Sequence, residues 1–332
     1  MNHKPWVSLA DDVFQRIPFR PNKKEPIDRW LQLPMGWDTS FVNWIAYTFA
    51  PPSISLVMDP YSGAGATLVW AHRSGHPAVG IDRDATAVIA SYAKTHYLEA
   101  FDLRRGIDKF KTLARTSSMH ISIADYIGFL SSGSYSVATK AVLTLPFLAS
   151  KTPDGYLVPR MLHVMETISS DAAEFIASGL IWALWGSCDA VLAKVHAGLP
   201  KDRPWLVLGS PPHPRSRGGL GAASAELEIY LRGLAADINA TQDVGMFDSQ
   251  SRPNSTVDSV EGLLRLLGSI SPHGTVVVLE YEIAAEGALW PELTLEAARS
   301  YDFADSGRAV LYSSAPDGRP GVVEGGVLVL RR

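Results

Sequence analysis

Two acids and two glycines stand at spacings that could hold a nucleoside. Asp59-Pro60-Tyr61-Ser62-Gly63-Ala64-Gly65-Ala66-Thr67 places a glycine turn directly after an apolar run, and Asp82 closes a second apolar run, Ala78-Val79-Gly80-Ile81. Glycines at a tight strand-to-helix turn let backbone approach a ligand where a Cβ would collide. An acid at the tip of the next strand can accept hydrogen bonds from both hydroxyls of a ribose. The turn is not G-x-G-x-x-G and lacks the Gly-Lys-Ser/Thr of a phosphate loop, which leaves a nucleoside cofactor outside those two classes. A second candidate constellation is Ser210-Pro211-Pro212-His213, which follows the apolar run Trp205-Leu206-Val207-Leu208-Gly209.

These residues need elements to position them. Residues 54–58 read as a buried strand, 67–74 as a helix and 78–82 as a second strand. Before them, Trp37-Asp38-Thr39-Ser40 can cap a helix over 41–49, which Pro51-Pro52 stops. Helical periodicity returns over 85–98, 161–176, 222–238 and 257–267. Apolar runs at 180–185, 205–209 and 274–280 read as strands, and 308–313 with 326–330 as a final β pair around the turn at Pro316-Asp317-Gly318. Strands alternating with helices predict an α/β sheet.

Asp59-Pro60-Tyr61-Ser62-Gly63-Ala64-Gly65 resembles the Asp-Pro-Phe-x-Gly-x-Gly signature of the S-adenosylmethionine-dependent amino-methyltransferases that act on DNA bases. Ser210-Pro211-Pro212-His213 resembles that family's Ser/Asp/Asn-Pro-Pro-aromatic tetrad at the end of the fourth strand. The resemblance covers roughly residues 35–100 and 180–235. It implies a Rossmann-like methyltransferase fold, with a mostly parallel seven-stranded sheet, an antiparallel last strand and helices on both faces. It implies S-adenosylmethionine as cofactor, held by Asp59, Pro60, Tyr61, Gly63, Gly65, Thr67, Asp82 and Arg83, with Asp189 and Ala190 at the adenine edge. Asp189 can equally cap the helix that follows it.

The implied chemistry is transfer to an exocyclic base amine, most often cytosine N4 for the serine tetrad and adenine N6 for the aspartate form. Ser210 and a carbonyl near Pro211 would accept hydrogen bonds from the amine, the two prolines would stiffen that backbone, and His213 would stack on an extruded base, less extensively than Tyr or Phe, or act as a proton acceptor. Arg215 and Arg217 flank the tetrad and could touch phosphates. Cytosine carbon-5 chemistry needs a Pro-Cys nucleophile, whereas Cys188 follows Ser187. The chain departs from the family at His213, where an aromatic is usual, at Ala64 and Ala66, and at the glycine-rich residues 218–221. That last segment could order over substrate or mark a relative that has lost catalysis. The partner expected is DNA, as duplex or transiently unpaired, with a restriction or defence-system protein as a further partner. RNA is the alternative substrate, and a non-catalytic subunit the alternative of another class.

The 332 residues are 46% hydrophobic and 19% charged, with net charge −4 and one cysteine. That composition fits one large globular domain spanning 1–332, with an N-terminal arm over about 1–34 and an insertion over about 100–180. A lone cysteine excludes a disulfide framework and cysteine-rich zinc sites, and no metal site is expected. The lack of an apolar run of about 18 residues or a signal-peptide core points to a cytoplasmic protein without a membrane partner. A chain of net negative charge must meet nucleic acid through local basic patches. The candidates are the N-terminal arm and Arg104, Arg105, Lys109, Lys111 and Arg115, each of which could equally be solvated surface.

Overall fold

A computed structural model of the protein describes residues 7–8, 25–31, 37, 39–116, 120–152, 155–174, 179–211, 224–244, 256–284, 290–312 and 322–332. Its strands are β1 (Val7–Ser8), β2 (Leu56–Asp59), β3 (Ala78–Asp82), β4 (His120–Ile121), β5 (Lys151–Thr152), β6 (Gly155–Leu157), β7 (Ile181–Trp185), β8 (Trp205–Gly209), β9 (Val276–Ala284), β10 (Ala304–Tyr312) and β11 (Val322–Arg331). Helices α1 (Thr39–Phe49), α2 (Ala66–Arg73), α3 (Ala85–Thr95), α4 (Leu103–Thr116), α5 (Ile123–Ser132), α6 (Val137–Ala149), α7 (Val158–Glu174), α8 (Cys188–Val195), α9 (Ala225–Thr241), α10 (Thr256–Ile270) and α11 (Trp290–Ser300) run between them.

Continuous apolar runs suit strands covered on both faces. β2 and β8 are buried at every residue, and alternate side chains serve opposite cores. Val57, Leu206, Leu208, Val276 and Val278 face one cluster, which also takes Phe41, Leu68, Val88, Val142 and Leu234 from the covering helices. Leu56, Met58, Val207, Val277 and Leu279 face the other, with Val191, Leu264 and Leu267.

The main sheet runs β1-β10-β11-β9-β8-β2-β3-β7. β7, β3, β2, β8 and β9 are mutually parallel, and β11 lies antiparallel between β9 and β10. This is the Rossmann-like methyltransferase topology: six strands in one direction and an antiparallel last strand. The two-residue β1 adds an eighth strand to the expected seven, pairing parallel to β10. Chain order departs in both directions from β2, so β2 and β8 flank the switch point where open α/β sheets bind ligands beyond their C-terminal ends.

Among the described residues between β3 and β7 lie the helices α3 to α7 and a small sheet ordered β4-β6-β5. There α6 packs on α3, and α4 packs on α6 and α7. One N-terminal stretch corrects the reading of a solvated arm: Ile27, Trp30 and Leu31 are buried. Their anchor is Asp171 of α7, which accepts from the Ile27 amide at 3.0 Å, Trp30 Nε1 at 2.8 Å and the Arg29 guanidinium. Lys94 of α3 is also buried and donates to the carbonyls of Asp28 at 3.2 Å and Leu31 at 2.8 Å.

Candidate functional site

The glycine turn is built against β3. Pro60 ends β2, the Tyr61 amide donates to Asp59 Oδ1 at 3.0 Å, and the Ser62 amide donates to the Ile81 carbonyl at 3.0 Å. Gly63 and Gly65 both take positive φ, +49° and +86°. They do so for different reasons. A Cβ on Gly65 would sit 2.8 Å from Ser91 Oγ and 2.9 Å from Ser91 Cα, so this glycine lets α3 approach the turn. Among the described residues, a Cβ on Gly63 would meet only the Tyr61 carbonyl, at 3.9 Å, which leaves room for a ligand on its outer side. Ser91 also fastens the turn, donating from Oγ to the Gly63 carbonyl at 2.9 Å. Thr67, assigned to the cofactor on resemblance, is almost wholly buried in α2 and stands by Asp59.

Asp82 takes two backbone donors, the Gly63 amide at 2.9 Å on Oδ2 and the Asp84 amide at 2.9 Å on Oδ1. Burial pushes its carboxyl up to about 6 against the pull of those amides. Asp59 is more enclosed, and burial pushes it up to about 7, with Thr67 and the Tyr61 amide opposing and the Asp82 charge adding. Two carboxylates short of solvation at the ends of neighbouring strands would gain from further donors, which a ribose supplies through its hydroxyls.

β7 forms the next wall. The Gly186 amide donates to the Asp82 carbonyl at 2.9 Å, and Trp185 Nε1 to the Arg83 carbonyl at 2.9 Å. The cap of α8 is Ser187 rather than Asp189, which corrects the capping alternative: Asp189 lies in the first turn, exposed, with Ala190 beside it. Among the described residues, the buried Ser187 hydroxyl meets no hydrogen-bond partner, nor does that of Ser62 in the glycine turn. The open side of Gly63, the donor-poor acids and these two hydroxyls fit an adenosine-bearing cofactor. Burial raises the Cys188 thiol strongly, as expected of a packed rather than reactive cysteine.

The outer edge of β7 is closed by side chains of α9. Asn239 accepts from the Trp185 amide and donates to its carbonyl, both at 2.8 Å. Gln242 repeats this with Ala183 at 2.9 and 2.8 Å. Two carboxamides thus stand in for a neighbouring strand.

β8 brings the second motif to the first. A Cβ on Gly209 would stand 3.2 Å from the Tyr61 ring and 3.5 Å from the Pro60 ring. Ser210 follows and donates from Oγ to Glu280 Oε2 at 2.6 Å. The same oxygen accepts from Trp37 Nε1 at 2.6 Å. Sequence reasoning missed Glu280, taking it as the end of a buried strand; its one signal was an acid ending an otherwise apolar run. Pro211 is described, whereas Pro212, His213, Arg215 and Arg217 lie outside the described residues.

Away from these strand ends, Arg104, Arg105, Lys109 and Thr112 of α4 line a shallow groove with Asp108 and the highly exposed ring of Phe101. Arg105 pairs with Asp102 at 3.0 Å and, like Lys109, lies 5.8 Å from the Tyr135 ring centre. This face is a basic patch on a chain of net charge −4.

No protein-family model and no curated protein matches the chain. Among solved structures, TrmN from Thermus thermophilus is similar over 89% of this chain at 14% identity and TM-score 0.35, and the chain spans 48% of its length. The rRNA methyltransferase aviRa from Streptomyces viridochromogenes is similar over 91% of this chain and 88% of its own, at 11% identity and TM-score 0.37.

Proposed function

We propose that this protein is an S-adenosylmethionine-dependent methyltransferase acting on an exocyclic amine of a nucleic-acid base. The observation that carries the reading is the meeting of the two motifs at the switch point: Gly209, directly before Ser210, lies against Pro60 and Tyr61, which lead into the glycine turn bonded to Asp82. Asp82 would hold the ribose, the open face of Gly63 would admit backbone contact, and the Ser187–Ala190 turn would border the adenine.

When bound, S-adenosylmethionine supplies an electrophilic methyl group on a sulfonium. The protein's part is to hold the amine in line with that methyl. An aromatic amine is a weak nucleophile because its lone pair is delocalised into the ring. A hydrogen bond from the amine to Ser210 Oγ favours the pyramidal, nucleophilic nitrogen. Pro211 stiffens the backbone that presents this acceptor.

The finer reading is cytosine N4 in DNA, supported by the serine in the tetrad. The basic face of α4 with exposed Phe101 supports a nucleic-acid substrate, since cations track a phosphate backbone and an aromatic ring stacks on bases. The test is transfer of labelled methyl to mixed-sequence duplex DNA, single-stranded DNA and RNA, followed by digestion and identification of the nucleosides by mass. N4-methylcytosine in DNA is expected. Label confined to RNA moves the substrate to RNA, and cofactor binding without transfer to any pool makes the protein a non-catalytic subunit.

A further inference from the structure

Glu280 makes contacts that the methyltransferase signature does not account for. It sits at the middle of β9, next to β8 in the sheet, one residue after the pairing of Leu279 with Gly209. Its Oε2 accepts from Ser210 Oγ and from Trp37 Nε1, both at 2.6 Å. Trp37 comes from the segment just before α1, and its ring packs edge-on against Phe41 of that helix at 5.4 Å. One carboxylate therefore ties the start of the tetrad to the helix that precedes the glycine turn.

The direction of these bonds has chemical consequences. A carboxylate only accepts, so the Ser210 proton must point at Glu280. A serine hydroxyl has one proton and two lone pairs; once the proton is committed, the oxygen presents acceptors elsewhere. A neutral hydroxyl with a free rotor could instead donate its proton towards the base amine, which would draw the nitrogen lone pair away from the methyl. Glu280 removes that option. Trp37 fixes the carboxylate from a second side, so the orientation does not depend on Ser210 alone.

We propose that Glu280 is a positioning residue for the transfer, acting through Ser210, and the final acceptor of the proton that the amine releases. This rests on the reading of Ser210 as the residue that meets the amine. As nitrogen takes the methyl carbon and the C–S electron pair returns to sulfur, the amine proton passes to Ser210 Oγ. The hydroxyl proton of Ser210 passes to Glu280 Oε2. Serine ends neutral, as it began, and the charge lost at the sulfonium is matched by neutralisation of one carboxylate. No further reactant is needed.

The test compares wild type, Glu280→Gln, Glu280→Ala, Ser210→Ala and the Ser210→Ala/Glu280→Gln double variant. Steady-state methyl transfer is measured on the polynucleotide pool that wild type labels, alongside equilibrium binding of S-adenosylmethionine. Glu280→Gln keeps an acceptor for the hydroxyl but cannot take its proton. The expected result is a kcat about 10²-fold lower, in the range of lost proton-transfer assistance, with KM for the polynucleotide and cofactor affinity within about threefold of wild type. The double variant should be no slower than Ser210→Ala, because residues acting as one unit are not additive. A purely structural role would move KM and cofactor affinity and leave the two losses multiplicative. Should Glu280→Gln fold poorly, Glu280→Ala with retained cofactor affinity serves in its place. Wild-type kcat in both Glu280 variants, or multiplicative losses in the double variant, overturns the proposal alone. Absence of transfer by wild type to every pool overturns it together with the reading it rests on.

Discussion

Replacing Asp82 by Asn should change the pH dependence of folding and of cofactor binding in opposite senses. Burial moves the Asp82 carboxyl from 3.8 to about 6. The folded chain then holds a proton that the unfolded chain has released, so this group's contribution is favourable at low pH and is lost as pH rises from about 4 through 6. At about 1.4 kcal/mol for each pKa unit, the upper limit of that loss is about 3 kcal/mol. Solvent reaching this partly exposed side chain brings it to roughly 1–2 kcal/mol. Asp59, pushed up to about 7, has the same sign. His96, held down to about 4, and His72 and His76, also lowered by burial, have the opposite sign over much of the same range. The total profile therefore mixes both, and the difference between wild type and Asp82→Asn isolates the acid. Urea unfolding at pH 4 and pH 8 should show wild type losing about 1–2 kcal/mol relative to Asp82→Asn as pH is raised. Binding runs the other way, because ribose donors need the ionised acid. Wild-type affinity for S-adenosylmethionine should fall by about tenfold for each pH unit below 6, whereas Asp82→Asn should bind weakly with a flatter profile. A stability difference independent of pH, or a variant with wild-type affinity and slope, would refute the assignment.

The two glycines of the turn should separate structure from ligand. Gly65→Ala drives a Cβ into Ser91 at positive φ and should cost about 2–4 kcal/mol in urea unfolding; Gly63→Ala should cost about 1 kcal/mol yet weaken cofactor binding at least tenfold. Asn239→Ala strips both partners from Trp185 on the sheet edge and should cost about 2–4 kcal/mol, with faster hydrogen exchange at the Trp185 amide. Asp171 is held below the usual carboxylate range against burial, by Arg29, the Ile27 amide and Trp30. Its contribution is present above about pH 4 and lost as pH falls through its folded value, so Asp171→Asn should flatten acid unfolding monitored by tryptophan fluorescence. Lys109→Ala with Arg104→Ala should weaken polynucleotide binding and lower the salt slope by about 2 if α4 meets phosphates, read by fluorescence anisotropy across a salt series.

The fold was legible because its strands are apolar runs bounded by glycine or proline, and because the two ligand motifs end adjacent strands in chain order. Strand and helix limits shifted by a few residues, as at 66–73 against 67–74 and 225–241 against 222–238. What was not legible depends on partners far apart in sequence. Glu280 gains its role from Ser210, seventy positions away, and nothing local distinguishes it from an acid ending a strand. Asn239 and Gln242 fall in the polar stretch that follows the helix read over 222–238, and only β7 beside them gives them a role. Trp30 and Ile27 read as arm residues because the anchor, Asp171, lies more than 140 positions downstream. Gly63 and Gly65 looked equivalent in the motif, and only the packing of Ser91 separates them.

The most direct test of the cofactor assignment is calorimetric titration of the full chain with S-adenosylmethionine, with NAD as the control nucleotide, on wild type and Asp82→Ala. Binding of S-adenosylmethionine to wild type at one site, weakened at least tenfold in Asp82→Ala and absent with NAD, is the predicted result. No binding to folded wild type, or equal binding by Asp82→Ala, would contradict it.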